Sequence, residues 1–327
     1  MNLKVGVWLP SFGNPLPIRD YLLDFDDIKE LAKLAEKYDF NSIWVSDHLI
    51  NPAGAKLNGG PVEDRPILEA WTTLSALSTL TNKVKLGTLV ICSLFRHPSL
   101  LAKMAATLDV ISKGRVILNI GAGWFKREAI AYGIPWKNYS ERLVILEETI
   151  KIMKRLWQNK KVNFKGKLFE LKDAILEPKP IQKPHPPIWI GGKSNNILEL
   201  VAKEGNGWDL DIHENVLDSI KERVTSLRRY CLILKRDPKK IEISTHSIVI
   251  LKKNDEEAVK AASSYARAIN KPIEEFIANY FVGSPTSVIE KLKKYVNIGV
   301  TNLCLFFVNG AEGIEIFNEE VFPCFKK

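Results

Sequence analysis

The sequence predicts an α/β fold in which eight parallel strands close into a (β/α)8 TIM barrel, with insertions at the C-terminal face. Two observations predict it. Short β-rich runs alternate with amphipathic helical patterns along the 327-residue chain, and such alternation places helices outside a parallel sheet. The repeating units are about 35 to 40 residues long, a size that suits a closed barrel. An open doubly wound sheet is the rival architecture. It calls for Gly-x-Gly-x-x-Gly after the first strand, whereas the glycine-rich turn Gly121-Ala122-Gly123 follows the fourth.

Lys4 to Leu9 reads as the first strand. Phe25 to Tyr38 carries Ile28, Leu31, Leu34 and Ala35 at the spacing of one helix face. Ser42 to Ser46 is the second strand, Ile67 to Leu80 a helix, and Val84 to Ile91 the third strand. His97 to Ile111 is helical, with Pro98 suited to a first turn. Lys113-Gly114 turns the chain into the fourth strand, Arg115 to Ile120, and a long helix runs from Ser140 to Trp157. Pro187 to Ile190 is the fifth strand, with a helix from Asn195; Asn206-Gly207 to Leu210 is the sixth. Ile241 to Leu251 is the seventh, followed by a helix from Asp255; Gly283-Ser284-Pro285 opens the last large helix, and Thr301 to Val308 is the eighth strand. The stretch from Lys160 to Pro187 holds five prolines and reads as an irregular insertion bordering the site. No linker rich in Pro, Gly and Ser divides the chain, so residues 1–327 are expected to form a single domain.

Composition narrows the function. The net charge of +9 raises nucleic-acid binding, but the 47 Lys and Arg are spread along the chain among acidic residues. No zinc-finger, RNA-recognition or basic-helix signature accompanies them, so no nucleic-acid partner is expected. No run reaches the roughly 20 apolar residues of a membrane helix. The N-terminus enters a strand pattern without the apolar run and cleavage site of a secretory signal, which predicts a cytoplasmic protein. Cys92, Cys231, Cys304 and Cys324 form no Cys-x-x-Cys pair and no Cys/His cluster, so no metal site is expected.

A parallel barrel keeps its chemistry at the C-terminal ends of its strands. The residues there are Asp47 and His48 after strand two; Cys92, Ser93, Arg96 and His97 after strand three; and Gly121-Ala122-Gly123-Trp124 after strand four. Gly191-Gly192-Lys193-Ser194 follows strand five, and Asp209, Asp211 and His213 follow strand six. Two glycines at 191 and 192 let a ligand approach the backbone. The helix after them offers unpaired N–H groups and a positive dipole end, capped by Ser194 or Asn195. Together with Lys193 this makes a phosphate cradle, although an ordinary tight turn has the same pattern. His48 is suited to pass a proton or to hydrogen-bond a developing charge; a loop histidine without a role is the plain alternative. His97 and His185 read as structural. Trp124 fits the wall of a ring-shaped ligand and fits plain core equally well.

The chain resembles the bacterial luciferase-like superfamily of reduced-FMN monooxygenases and deazaflavin (coenzyme F420) oxidoreductases. The resemblance runs nearly end to end. It is densest over Leu68-Glu69-Ala70-Trp71-Thr72-Thr73-Leu74, Leu86-Gly87-Thr88-Leu89-Val90, Arg96-His97-Pro98, Gly121-Ala122-Gly123-Trp124, Glu141-Arg142-Leu143 and Pro186-Pro187-Ile188-Trp189-Ile190-Gly191-Gly192. The wording is most similar to F420-dependent oxidoreductases of unassigned substrate. The resemblance implies a non-proline cis peptide at Leu89-Val90 behind the cofactor ring, with Cys92 touching the ring and Asp47-His48 beside it. It implies a cofactor phosphate at Gly191-Gly192-Lys193-Ser194, a structural or phosphate-near role for Arg142, and a homodimer built on helices near strands two and three. The expected activity is hydride transfer between F420 and a small-molecule substrate, with Asp47 and His48 as the catalytic residues and His48 managing the proton. Reduced-FMN monooxygenation is the alternative, and a non-catalytic flavin-binding barrel the third reading. One departure stands out. Relatives that oxidise sugar phosphates carry an acidic residue after the Gly-x-Gly, where this chain has Trp124, so a more apolar substrate is expected.

Overall fold

The computed structural model describes residues 3–11, 24–52, 66–211, 217–268 and 270–325. Its centre is a closed parallel barrel of β1 (Lys4–Trp8), β2 (Ser42–Val45), β3 (Lys85–Thr88), β4 (Val116–Gly121), β5 (Ile188–Gly191), β6 (Gly207–Asp211), β7 (Glu242–Leu251) and β8 (Asn302–Phe307). Each strand pairs in parallel with the next. Closure comes from β8 returning to β1, where Lys4 stands opposite Asn302 and Val7 opposite Leu305. Two short strands extend the rim: Ile91–Cys92 pairs with the end of β4 and Phe281–Gly283 with the end of β7.

Helices surround the barrel: α1 (Phe25–Lys37), α2 (Ala70–Leu80), α3 (Pro98–Ile111), α4 (Tyr139–Gln158), α5 (Asn195–Glu204), α6 (Leu217–Ile233), α7 (Asp255–Ala268), α8 (Pro285–Asn297) and α9 (Gly310–Ile316). Local chemistry starts them as expected from capping preferences. Asp24 caps α1, Asn138 and Glu141 form a capping box on α4, and Ser194 and Ser284 cap α5 and α8. His97 caps α3 through Nδ1, with Pro98 in the first turn, which gives it the structural place its position in the sequence suggests.

Strand side chains alternate between the barrel interior and the helix layer. Trp44 of β2 and Trp189 of β5 both point inward, their rings 5.1 Å apart and inclined by 33°. Space for them comes from the neighbouring strands. A Cβ on Gly87 would lie 2.2 Å from the Trp44 ring, and one on Gly207 would lie 2.5 Å from the Trp189 ring. These glycines and tryptophans fill the barrel and make its floor solid. Leu89 and Cys304 complete that cluster.

Two segments go beyond the sequence expectation. The stretch 160–187 contains an antiparallel hairpin, Val162–Lys165 with Glu170–Ala174. Its turn is held by the buried Glu148 carboxylate, which accepts the N–H groups of Leu168 and Phe169 at 3.1 Å. Helix α6 fills the connection between β6 and β7, as the alternation of strand and helix requires, although the sequence reading gives it no bounds; Ile220, Val224, Leu227 and Cys231 form its buried face. At the C-terminal side, α7 and the short helix Ile273–Asn279 pack Ala258, Ala262, Ala266 and Phe276 over the ends of β7 and β8. No helix among the described residues is long and apolar enough to cross a membrane.

Candidate active site

The loop after β2 carries Asp47 and His48. Asp47 is buried and fully engaged. Its two oxygens accept from Nη1 and Nη2 of Arg96 at 2.8 Å each, and Oδ2 also accepts the Cys92 N–H at 3.0 Å. Arg96 reaches on to Glu69 at 2.6 Å, and Glu69 caps α2. The structure thus places Asp47 as the clasp between the β2 and β3 loops.

His48 projects from this clasp. Its Nδ1 lies 3.0 Å from Oε2 of Glu128, which comes from the short helix Lys126–Ala131 after β4. The other Glu128 oxygen accepts the backbone N–H groups of Leu49 and, at 2.9 Å, Ile50. Glu128 is 1% exposed and His48 14%. The imidazole also meets aromatic rings: Trp124 lies T-shaped to it at 5.6 Å, and Trp124 in turn stacks on Phe125 at 5.1 Å. Half of the Trp124 surface, 51%, is open. Glu128 is absent from the sequence-based candidates. It sits in a helix of six residues, too short to show a periodicity, and its partner is 80 positions away.

The peptide between Leu89 and Val90 is cis. Leu89 packs downward on the tryptophan floor. Val90 lies between two glycines, since a Cβ on Gly191 would meet its methyl groups at 3.1 Å and one on Gly121 at 3.4 Å. Cys92 is buried beside Gly123, whose added Cβ would lie 2.8 Å from the sulfur. Burial pushes the Cys92 thiol up to about 12, so it is a neutral thiol near pH 7 rather than a nucleophile. Ala122 is likewise buried.

After β5, Gly192 takes φ +133°, a conformation that L side chains rarely adopt. Its N–H donates to Asp209 O at 3.2 Å, and its carbonyl accepts the indole N–H of Trp208 at 2.7 Å. Ser194 Oγ accepts the Ile197 N–H and lies 2.7 Å from the hydroxyl of Tyr139. Lys193 is exposed, and its carbonyl accepts Nε of Arg223. Arg142, one helical turn beyond Tyr139, stacks its guanidinium 4.1 Å over the Trp136 ring. The two sides of the mouth therefore meet at Val90, which Gly121 and Gly191 flank.

Of the remaining candidates, Asp209 is buried and accepts from His246 Nδ1 at 3.1 Å. His246, on β7, packs edge-on against Trp8 of β1 at 5.6 Å and was not signalled by any motif. Asp211 ends β6, and His213 lies outside the described residues. Among the described residues, no group of three or more His, Cys, Asp or Glu is placed to hold a metal ion.

The loops of this closed parallel barrel gather a carboxylate-backed histidine, a cis peptide and a capped helix start at one end, as in an α/β-barrel enzyme. The profile of the luciferase-like monooxygenase family matches residues 3–302, and the chain belongs to that family. Among its relatives is an F420-dependent glucose-6-phosphate dehydrogenase of Amycolatopsis mediterranei, 27% identical, covering 91% of this chain and 93% of the relative. An FMNH2-dependent dimethylsulfone monooxygenase of Pseudomonas putida is 25% identical, covering 98% of this chain and 94% of the relative. The fold also matches an F420-dependent secondary alcohol dehydrogenase, solved with an F420–acetone adduct, at a TM-score of 0.82 and 23% identity over the whole of both chains.

Proposed function

We propose that the chain is an oxidoreductase that uses a deazaflavin, coenzyme F420, to move a hydride to or from a small organic substrate. The observation that carries this reading is the convergence of His48, Val90 and the Gly191–Ser194 helix start on one barrel mouth. A flat heterocycle fits this mouth. Gly121 and Gly191, lacking a Cβ, let Val90 pack close against their backbones at the centre of the mouth, and a phosphorylated tail fits the N-terminus of α5.

When bound, the deazaflavin supplies hydride chemistry that no side chain can perform. The residues of this chain do the rest. Leu89 and Val90 back the ring. The start of α5 behind Ser194 would receive the phosphate, Gly192 giving the turn that presents it, and Arg142 and Lys193 would add positive charge. His48 holds or gives the proton at Nε2 that accompanies reaction at the substrate oxygen. Trp124 offers an open aromatic wall in place of an acidic group, which favours an apolar substrate over a sugar phosphate. Asp47 holds the loops in register through Arg96.

A second reading takes FMN in the same cradle and makes the protein a monooxygenase; the P. putida relative supports it. Absorption titration with F420 and with FMN separates the two. Tight binding of FMN alone reverses the assignment, and binding of neither overturns the reading. His48→Ala is expected to lower turnover far more than cofactor affinity, whereas a non-catalytic binder would lose little of either. We further propose that the chain acts as one domain and as a homodimer. Leu80 of α2 and Leu100, Val110 and Ile111 of α3 are exposed and suit such an interface; sedimentation tests it.

A further inference from the structure

We infer that Glu128 is a positioning residue that sets the tautomer of His48, and so decides whether Nε2, the nitrogen turned away from Glu128, carries a lone pair or a hydrogen. The inference rests on the role proposed for His48 and adds the group that controls it. Three donors converge on the Glu128 carboxylate from the loop after β2. The N–H groups of Leu49 and Ile50 both point at Oε1, and the imidazole Nδ1 lies 3.0 Å from Oε2 and 3.2 Å from Oε1. An ionised carboxylate only accepts hydrogen bonds. Nδ1 must therefore carry the hydrogen, and in the neutral ring Nε2 keeps the lone pair. Asp47 does not compete for His48, because Arg96 and the Cys92 N–H occupy its oxygens. Tyr132 strengthens the same arrangement by donating its hydroxyl to the Leu49 carbonyl at 2.9 Å, which ties the helix of Glu128 to the loop of His48.

The geometry makes Glu128→Gln a tautomer switch. Leu49 and Ile50 are both donors to one oxygen, so the amide must keep its oxygen there. The amide nitrogen then takes the place of Oε2 and donates to Nδ1. That places the ring hydrogen on Nε2, and the neutral histidine changes from acceptor to donor at that nitrogen. The backbone bonds and the shape of the site are retained. A base that accepts the proton of a substrate hydroxyl as hydride leaves would be lost, although every atom around it stayed in place.

The test is long-range 1H–15N correlation on histidine-labelled protein without cofactor, with the His48 signal identified by its loss in His48→Gln. The expected result is a hydrogen on Nδ1 in the wild type and on Nε2 in Glu128→Gln. Cofactor affinity should stay within about threefold, while kcat for any substrate found falls at least about tenfold. A wild-type hydrogen on Nε2, or an unchanged tautomer in Glu128→Gln, overturns the inference. If Glu128→Gln does not fold, the wild-type spectrum alone decides. Failure of the wild type to bind either cofactor would sink the functional reading and leave the tautomer result standing, so the two failures are distinguishable.

Discussion

Arg96 grips both carboxylate oxygens of the buried Asp47, at 2.8 Å each, in a part-buried bidentate pair that locks the β2 loop to the β3 loop. Breaking a buried ion pair by removing one partner costs about 3–5 kcal/mol, because the remaining charge is left uncompensated. Asp47→Asn should lose stability on that scale, read as a lower urea midpoint with an unchanged slope. Adding Arg96→Gln should cost less than its effect alone. An unchanged midpoint would show that the pair contributes nothing to the fold.

Gly87→Ala tests the tryptophan floor. The new Cβ would meet the Trp44 ring at 2.2 Å, and overpacking of a filled core typically costs about 1–3 kcal/mol. Combination with Trp44→Phe should recover part of the loss, since the smaller ring vacates the space. Equal losses in the single and double variants would contradict this packing account.

The cysteines should separate by reactivity. Cys324 is exposed, whereas Cys92, Cys231 and Cys304 are buried. Burial disfavours the Cys92 thiolate and places its titration at about 12. It stays a thiol at pH 8 and becomes reactive only as the pH approaches that value. Iodoacetamide at pH 8 should label Cys324 alone in the folded protein, with peptide masses as the readout. Labelling of Cys92 at the rate of Cys324 would refute its burial.

Gly192→Ala should weaken cofactor binding. The residue needs φ +133°, and an added Cβ would lie 3.2 Å from Ile197 on α5. Strain of this kind costs about 1–3 kcal/mol, so affinity for whichever cofactor binds should fall about tenfold or more. Lys193→Ala, which alters only an exposed charge, should change affinity less and mainly at low salt. The reverse ranking would place the tail elsewhere.

Acid should weaken the bottom of the barrel through Glu36. Its carboxylate accepts the N–H groups of Asn82, Lys83 and Val84 ahead of β3. Burial alone would raise its pKa, but these N–H groups hold it below the ordinary 4.5. The stabilisation is therefore present above about pH 4.5 and is lost as the pH falls through the lower folded value. Glu36→Gln should flatten the loss of stability below pH 4.5 in acid titrations followed by circular dichroism. An unchanged acid limb would exclude Glu36 as a source.

The barrel was legible because strand formation and helix capping are local. All eight barrel strands lie where β-rich runs end in turn residues, and Asp24, Ser194 and Ser284 start helices as their type suggests. The third strand shows the limit of that reading. Its apolar run continues to Ile91, but the barrel strand stops at Thr88 and the chain turns through the cis peptide at Leu89–Val90 before pairing again at Ile91. The alternation implies a helix between the sixth and seventh strands, and α6 supplies it, but the reading set no bounds for it although its apolar spacing is regular. The hairpin at 162–174 escaped notice because its strands are short and lie in a stretch dominated by prolines.

By itself the sequence determined the alternation of strands and helices, and with it the end of the barrel at which Asp47, His48 and the two glycine turns had to emerge. Those properties depend on side-chain periodicity and backbone permissiveness, which act over a few residues. Tertiary structure alone decided that Arg96 takes up Asp47, that Glu128 reaches His48 and that His246 meets Asp209. Each joins residues between 37 and 80 positions apart. Closure of the barrel brings their strand ends together, and burial then requires each carboxylate to find a donor.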